Sequence, residues 1–266
     1  VFAGFCDQQG ISRPGYFDVD AFEPTKLKAS PRLNLLDVGE DGMFDDNGLC
    51  PTCVLSEGNH LRMYYFAFQL GVKLPFFMFS GLAYSLDSGE NWRRATRVPI
   101  LDRSNLEPIM RSGPFVIRDK GFYRIYYPCG TEFTDVQGKK VHKYQIHYAQ
   151  STDGINWPEA GVPVIKYESK DEYGFGRPFV YNENGLFKML YSIRTFSKGY
   201  RLGYAESIDG INWDRKDDQF KIDVSESGWD SEMICYSSLI DIDGVKFLFY
   251  NGNNLGSTGV GVAKLV

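Results

Sequence analysis

Acidic side chains recur at one kind of place in this chain. Asp45 and Asp46 precede Pro51, and Glu107 precedes Pro114 with Arg111 between them. Asp171 and Glu172 precede Pro178, which Arg177 adjoins, and Asp230 and Glu232 precede Tyr236. Each group stands four to seven residues ahead of its landmark. Breaking a glycosidic bond needs such a set: one acid protonates the leaving oxygen and a second carboxylate acts as base or nucleophile. Acids crowded in a cleft have their pKa values driven apart, so that one stays protonated while its neighbour is charged. The candidates for chemistry are therefore Asp46, Glu107, Glu172 and Glu232. Glu172 is expected to be the general acid, Asp46 or Glu107 its partner, and Glu232 next in line. Arg111, Arg177 and Arg194 suit a charged partner or an acidic or phosphorylated sugar, gripped bidentately. Tyr236, Asn251 and Asn253 are expected at the ligand, and Tyr173 and Phe175 as a platform for a sugar ring. Asp45, beside Asn47-Gly48, reads as a turn former.

Two repeats place these residues. The stretches Tyr84-Ser85-Leu86-Asp87-Ser88-Gly89-Glu90-Asn91-Trp92, Ala149 to Trp157 and Ala205 to Trp213 share a Ser-x-Asp pattern followed by Gly, Asn and Trp. That pattern predicts a hairpin turn: Ser and Asp bond nearby amides, Gly takes positive φ and Trp buries itself. Asp87, Asp153 and Asp209 are explained by the turn. The second repeat is offset from the first. Pro51, Pro114 and Pro178 each open an apolar strand, at spacings of 63 and 64 residues. Each strand runs through a turn into an aromatic strand (61–68, 122–127 and 186–192), and a third strand enters the Asp turn. Met233 to Ile240, Val245 to Tyr250 and Gly259 to Leu265 repeat the scheme. Four-stranded units repeated in this way are blades of a β-propeller.

The expected fold is thus all-β, a five-bladed β-propeller with four-stranded antiparallel blades, forming one domain over 1–266. The blades fall at about 1–40 (partial), 41–100, 101–165, 166–225 and 226–266 (partial). In the first blade Val1 to Cys6, Gly15 to Asp20 and Leu27 to Leu36 are expected as second, third and fourth strands. That scheme lacks the first innermost strand and the last outer one, which a preceding segment would supply. Open edges at such a seam invite pairing with a second copy.

Composition narrows the classes. The 266 residues are 43% hydrophobic and 24% charged, as in an ordinary globular protein, and the 15% of aromatics suits strands. With a net charge of −5 and no basic stripe, a nucleic-acid partner is not expected. No apolar run approaches a membrane span, and no leader or lipidation motif is read. Five cysteines leave at least one thiol unpaired within the chain, which suits a reducing, cytoplasmic setting. Cys50-Pro51-Thr52-Cys53 sits on an expected strand rather than at a helix start, and His60, His142 and His147 show no paired spacing. No metal or other cofactor is expected from these residues.

Three stretches carry a family resemblance: Phe44 to Pro51, Leu202 to Trp213, and Phe249-Tyr250-Asn251-Gly252-Asn253-Asn254-Leu255-Gly256-Ser257-Thr258-Gly259-Val260-Gly261. On them the chain resembles, over nearly its whole length, the five-bladed propellers of glycoside hydrolase families 43 and 32. Its nearest likeness is to the propellers of plant glucosamine inositolphosphorylceramide transferases and of bacterial polysaccharide-gene neighbourhoods. The resemblance implies a carbohydrate ligand at the central mouth and either hydrolysis or glycosyl transfer. The alternative is a sugar-binding or protein-interaction propeller without turnover. Two positions depart from the hydrolase pattern: the first innermost strand, which carries an essential carboxylate in those families, has no counterpart, and Arg177 stands where their acid adjoins the strand-opening proline. Arg111, Arg177 and Arg194 with Tyr236 also resemble a sialidase set, but sialidases have six blades and this chain is too short for six.

Overall fold

The computed structural model describes residues 1–265. Strands account for nearly all the regular structure; the exceptions are a 3-10 turn at Asp217–Gln219 and a four-residue helical turn at Asn253–Gly256. β1 (Phe2–Cys6) and β2 (Ser12–Tyr16) pair as a hairpin. β3 (Leu49–Glu57), β4 (His60–Leu70), β5 (Phe76–Ser85) and β6 (Arg93–Arg94) form a four-stranded meander.

A nine-stranded sheet follows. Its first half holds β7 (Met110–Arg111), β8 (Phe115–Asp119), β9 (Phe122–Val136), β10 (Lys139–Ser151) and β11 (Val162–Ile165). Its second half holds β12 (Glu172–Glu183), β13 (Leu186–Thr195), β14 (Arg201–Ser207) and β15 (Asp214–Arg215). One parallel pair, Tyr144 opposite Gly174, joins the halves, so each is an antiparallel meander in its own right. β16 (Cys235–Ile242), β17 (Val245–Asn251) and β18 (Val260–Leu265) close the order.

The first unit departs from expectation. β2 starts at Ser12 rather than Gly15, and Leu27 to Leu36 is not a strand. That stretch makes two isolated bridges, Val19 with Leu27 and Tyr16 with Arg32. Pro31 removes a backbone donor from its middle, and Leu27 and Leu33 are exposed, so no ladder forms and only its end, Leu35 and Leu36, is buried.

The Asp turns fasten one unit to the previous one. Asp153 Oδ1 accepts the amides of Ile155 (2.8 Å) and Asn156 (2.9 Å), and Asp209 accepts those of Ile211 and Asn212 (both 2.8 Å). These bonds hold both carboxyls far below the usual carboxylate range, the Asn amide being the leading cause in each. Gly154 (φ 72°) and Gly210 (φ 75°) supply the left-handed step. The carbonyl of Gly154 then accepts the Tyr64 hydroxyl at 3.0 Å, and Arg62 caps Asp153 O at 2.7 Å. Tyr126 and Arg124 treat Gly210 and Asp209 the same way, at 2.8 and 2.5 Å. Arg62 and Arg124, near the starts of β4 and β9, pair opposite Leu55 and Ile117, so this seam lies toward the far ends of β3 and β8. Tyr126→Phe is expected to cost about 1 kcal/mol, the net worth of one hydrogen bond. Chemical denaturation should show it as a lower midpoint with an unchanged slope.

Candidate functional site

Ahead of three innermost strands one acid is bound to a tyrosine, and ahead of a fourth the link runs through an arginine. Tyr65 on β4, Tyr127 on β9 and Tyr191 on β13 are fully buried, and a buried phenol needs a partner for its hydroxyl. Tyr65 donates to Asp45 Oδ2 (3.1 Å), Tyr127 to Glu107 Oε2 (2.7 Å) and Tyr250 on β17 to Asp230 Oδ2 (3.0 Å). In the fourth case an arginine intervenes. Tyr191 donates to Asp217 (2.7 Å), and Arg215 bridges Asp217 (2.6 Å) and both oxygens of Glu172 (2.7 and 3.0 Å). Arg94 pairs with Asp45 at 2.7 Å and Arg111 with Glu107 at 2.6 Å.

Glu107 is the most fully engaged. Besides Tyr127 and Arg111 it accepts His147 Nδ1 (2.7 Å) and the amide of Gly161 (3.0 Å). Burial alone would raise its pKa, but His147, Tyr127, the Gly161 amide and Arg111 outweigh it and hold the carboxyl at about 2. An acceptor-only carboxylate requires that His147 carry its proton on Nδ1. Cys129 brings a third potential ligand atom within 4.8 Å of Glu107 and His147, but the Arg111 guanidinium already lies against this carboxylate. Arg111 also donates to the carbonyls of Asp102 (3.1 Å) and Pro158 (2.8 Å). Glu172 is likewise shifted down: burial opposes the shift, and Arg215 with the Glu168 amide prevails. Both are fixed carboxylates, whereas a general acid needs a raised pKa.

The other expected residues divide in two. Asp46 Oδ2 accepts the Gly42 amide at 2.9 Å, and its buried Oδ1 has no partner among the described residues. Glu232 is exposed; its amide, not its carboxylate, is bonded, to Asn253 Oδ1 at 2.8 Å. Asn253 is buried and also takes the Met233 amide (3.1 Å) and gives to Gly228 O (3.1 Å), so it ties a loop together. Asn251 donates to Leu255 O at 2.9 Å.

Arg177 meets Tyr236, and Arg194 is connected to them through Tyr200. The pairing of β12 with β13 slips between Gly176 and Phe179, and that of β16 with β17 between Cys235 and Ser238. Arg177 (φ 50°) and Tyr236 (φ 58°) sit in these bulges in the left-handed region, and Gly113 (φ 65°) does so between β7 and β8. A bulge re-aims a side chain, and for a residue with a Cβ that backbone costs about 1–2 kcal/mol. The re-aimed guanidinium of Arg177 lies 5.2 Å from the Tyr236 ring and 5.6 Å from Phe66, and donates to Pro51 O at 3.1 Å. The Tyr236 ring meets Tyr200 edge-on at 5.8 Å, and Tyr200 shares a 2.9 Å hydroxyl contact with Tyr144. Arg194 lies over Tyr200 (5.4 Å) and Tyr173 (5.0 Å). Burial raises the pKa of the Tyr200 and Tyr236 phenols, so both are neutral donors.

Beside this cluster opens a cleft of about 420 Å³, lined among others by Tyr173, Arg194, Lys198, Tyr200, Met233 and Leu255. Its rim includes two consecutive left-handed residues, Asn254 (φ 51°) and Leu255 (φ 59°), the kind of strain that collects at binding loops. Its volume is that of a small-ligand site. Neither expected platform offers an open ring: Tyr173 is buried between Phe196 (4.6 Å) and Arg194 (5.0 Å), and Phe175 is fully buried under Arg215. Tyr144, Lys198 and Tyr200 were not singled out from the sequence; Tyr200 lies only six residues beyond Arg194, across the β13–β14 turn.

Stability should follow the ionisation of Glu107. A carboxyl whose folded pKa lies below its unfolded value of 4.5 stabilises above pH 4.5 and loses that contribution as pH falls toward 2. Glu107→Gln is expected to flatten the pH dependence of unfolding between pH 6 and pH 3 by roughly 2 kcal/mol, measured by denaturation at those two pH values.

No model of a known protein family matches the sequence. Among curated proteins the chain is 32% identical over 259 residues to "Uncharacterized protein Rv1502" of Mycobacterium tuberculosis (strain ATCC 25618 / H37Rv), covering 97% of this chain and 85% of that one. It is also 32% identical over 106 residues to the "1,2-beta-oligomannan phosphorylase" of Thermoanaerobacter sp. (strain X514), spanning 38% of this chain and 34% of that protein. Solved structures of the same fold include a "Glycoside hydrolase" (TM-score 0.73, 19% identity, 95% of this chain and 78% of that one). The Bombyx mori GH32 beta-fructofuranosidase BmSUC1 follows (TM-score 0.66, 16% identity, 99% and 56%), as does a thermostable family-43 glycoside hydrolase (TM-score 0.62, 20% identity, 80% and 70%). These likenesses are of fold: all-β, of the propeller kind found in glycoside hydrolase families 43 and 32. By its near full-length match, the chain belongs to the family of the mycobacterial protein Rv1502.

Proposed function

We propose that this protein is a five-bladed, carbohydrate-active propeller that binds a glycan where its innermost strands begin. The five blades follow from reading each half of the nine-stranded sheet as one. One observation carries the ligand site: the bulges in β12 and β16 turn Arg177 and Tyr236 onto one another, and Tyr200 links them to Arg194 and the adjoining cleft. Phenols and guanidiniums around a cleft suit a polyhydroxylated ligand, offering hydrogen bonds and flat faces together. The fold shared with glycoside hydrolases supports a carbohydrate, and so does the partial match to an oligomannan phosphorylase.

A second reading, turnover, is favoured by the two acids left free. Asp46 has an unpartnered oxygen, and Glu232 adjoins Met233 on the cleft. Glu107 and Glu172, bound to arginines, serve in this reading as fixed structure. The likeness to glucosamine inositolphosphorylceramide transferases adds glycosyl transfer to the reactions to assay.

A thermal-shift screen against mono- and oligosaccharides, mannans among them, tests the binding reading. A ligand selective for the folded state raises Tm by mass action. At least one saccharide class is expected to do so, and a flat result at millimolar ligand overturns it. With the saccharide so found, Asp46→Asn and Glu232→Gln are each expected to lower release of reducing sugar by about 100-fold at unchanged affinity. Saccharide binding without measurable release leaves a binding propeller and removes the second reading.

A further inference from the structure

Arginine pairing divides the molecule. Arg62, Arg94, Arg111, Arg124 and Arg215 each rest against a carboxylate at 2.6–2.7 Å. Arg177 and Arg194 have no carboxylate within ion-pair distance among the described residues, although both are only partly exposed. Lys198, on the same cleft, has none either. Uncompensated charge that is half withdrawn from water is costly unless something of opposite sign completes it. His142 adds to the case independently. It is 4% exposed, and its Nε2 has no hydrogen-bond partner among the described residues. It packs against Phe133 (4.9 Å) and Phe76 (5.9 Å) and stands two residues before Tyr144, whose hydroxyl meets Tyr200 beneath Arg194. Burial, and then the charge of Arg194, push its pKa down to about 4, so it stands neutral near a cation with a ring nitrogen unused.

We propose that this cluster is a site for a phosphate dianion, held by the guanidiniums of Arg177 and Arg194 and hydrogen-bonded by the phenols between them. The inference rests on the glycan reading for its neighbour in the cleft, since a sugar ring beside Tyr173 would place an attached or co-bound phosphate at the arginines. Two guanidiniums favour a dianion: a carboxylate balances one and leaves the other uncompensated, whereas phosphate balances both and has an oxygen for each fork. Phenols that stay protonated act as donors to such a ligand, where ionised residues would repel it. The same chemistry has two sources, a phosphate ester on the sugar or free inorganic phosphate beside it.

Calorimetric titration of the intact protein with inorganic phosphate, a hexose 1-phosphate, the neutral hexose and glucuronate tests this. At least one phosphate is expected to bind ten times or more tightly than the neutral hexose and than glucuronate. Binding of inorganic phosphate by itself identifies free phosphate as the source; binding of the hexose phosphate alone identifies the ester. Arg194→Gln is expected to weaken that binding at least tenfold. So is Arg177→Gly, which suits the left-handed backbone at that position and is expected to keep the native Tm. The proposal falls if neither phosphate binds better than the hexose, if glucuronate binds as tightly as phosphate, or if the folded Arg177→Gly protein binds phosphate like the parent. Saccharide binding without a phosphate preference removes this inference and leaves the glycan reading standing. Binding of inorganic phosphate with no saccharide response supports the anion site and removes the glycan reading.

Discussion

A tyrosine ring on the second strand of each main unit has to be buried together with its hydroxyl, and much of the molecule follows from that requirement. Tyr65 and Tyr191 lie against glycines on the next strand, Gly81 and Gly203. A Cβ at Gly81 would come within 2.1 Å of the Tyr65 ring, and one at Gly203 within 2.5 Å of Tyr191. The rings therefore fill the space of missing side chains, and their hydroxyls end in a dry interior. An unpaired phenol there costs more than an exposed one gains, so the chain must bring an acceptor. It brings carboxylates: Asp45, Glu107, Asp230 and, through Arg215, the Glu172–Asp217 pair. Most of these need cations in turn, which accounts for Arg94, Arg111 and Arg215. Tyrosine, acid and arginine together anchor the loop that leads into an innermost strand.

That anchoring decides what is left for a ligand. With three arginines committed to buried acids and others to the Asp-turn seams, the arginines remaining where the strands begin are Arg177 and Arg194. Strand pairing would normally direct position 177 away from its neighbours, and the bulge changes that at the cost of a left-handed backbone. Of the ten left-handed residues with side chains among the described residues, Arg177, Tyr236, Asn254 and Leu255 stand at or beside one cleft, while Ser88, Lys120, Gln137, Asn184 and Asp243 sit in turns between strands. The turn residues are explained by their hairpins, whereas left-handed bulge and loop positions beside a cleft are the kind of strain that binding loops carry.

The sequence makes the repeat legible because its signals are local. Ser, Asp, Gly, Asn and Trp within nine residues specify a turn by bonds that span two to four positions. The role of the recurring acids is harder to read because their partners are distant. Recurrence at one repeat position suggested a converging mouth, yet in three of the four acidic groups one member is matched to a tyrosine 20 residues along: Asp45 with Tyr65, Glu107 with Tyr127, Asp230 with Tyr250. That constant interval is visible in the residues, and it is the interval from the loop before a strand to the inward face of the strand after it. The fourth acid breaks the pattern, since Glu172 reaches Tyr191 only by way of Arg215 and Asp217, and no interval within β12 and β13 announces Arg215.

The arginines show the same limit from the other side. Nothing local separates Arg111 from Arg177, for each lies just before a strand-opening proline, three residues and one residue away. What separates them is whether a carboxylate waits at the end of the side chain. Arg111 finds Glu107 four residues back, inside the same loop, and is consumed by it. Arg177 has Glu172 five residues back, but Arg215 already holds both oxygens of that carboxylate. Competition among arginines for a small set of buried acids thus leaves one guanidinium without a carboxylate. It is a property of the assembled sheets rather than of any single stretch of sequence.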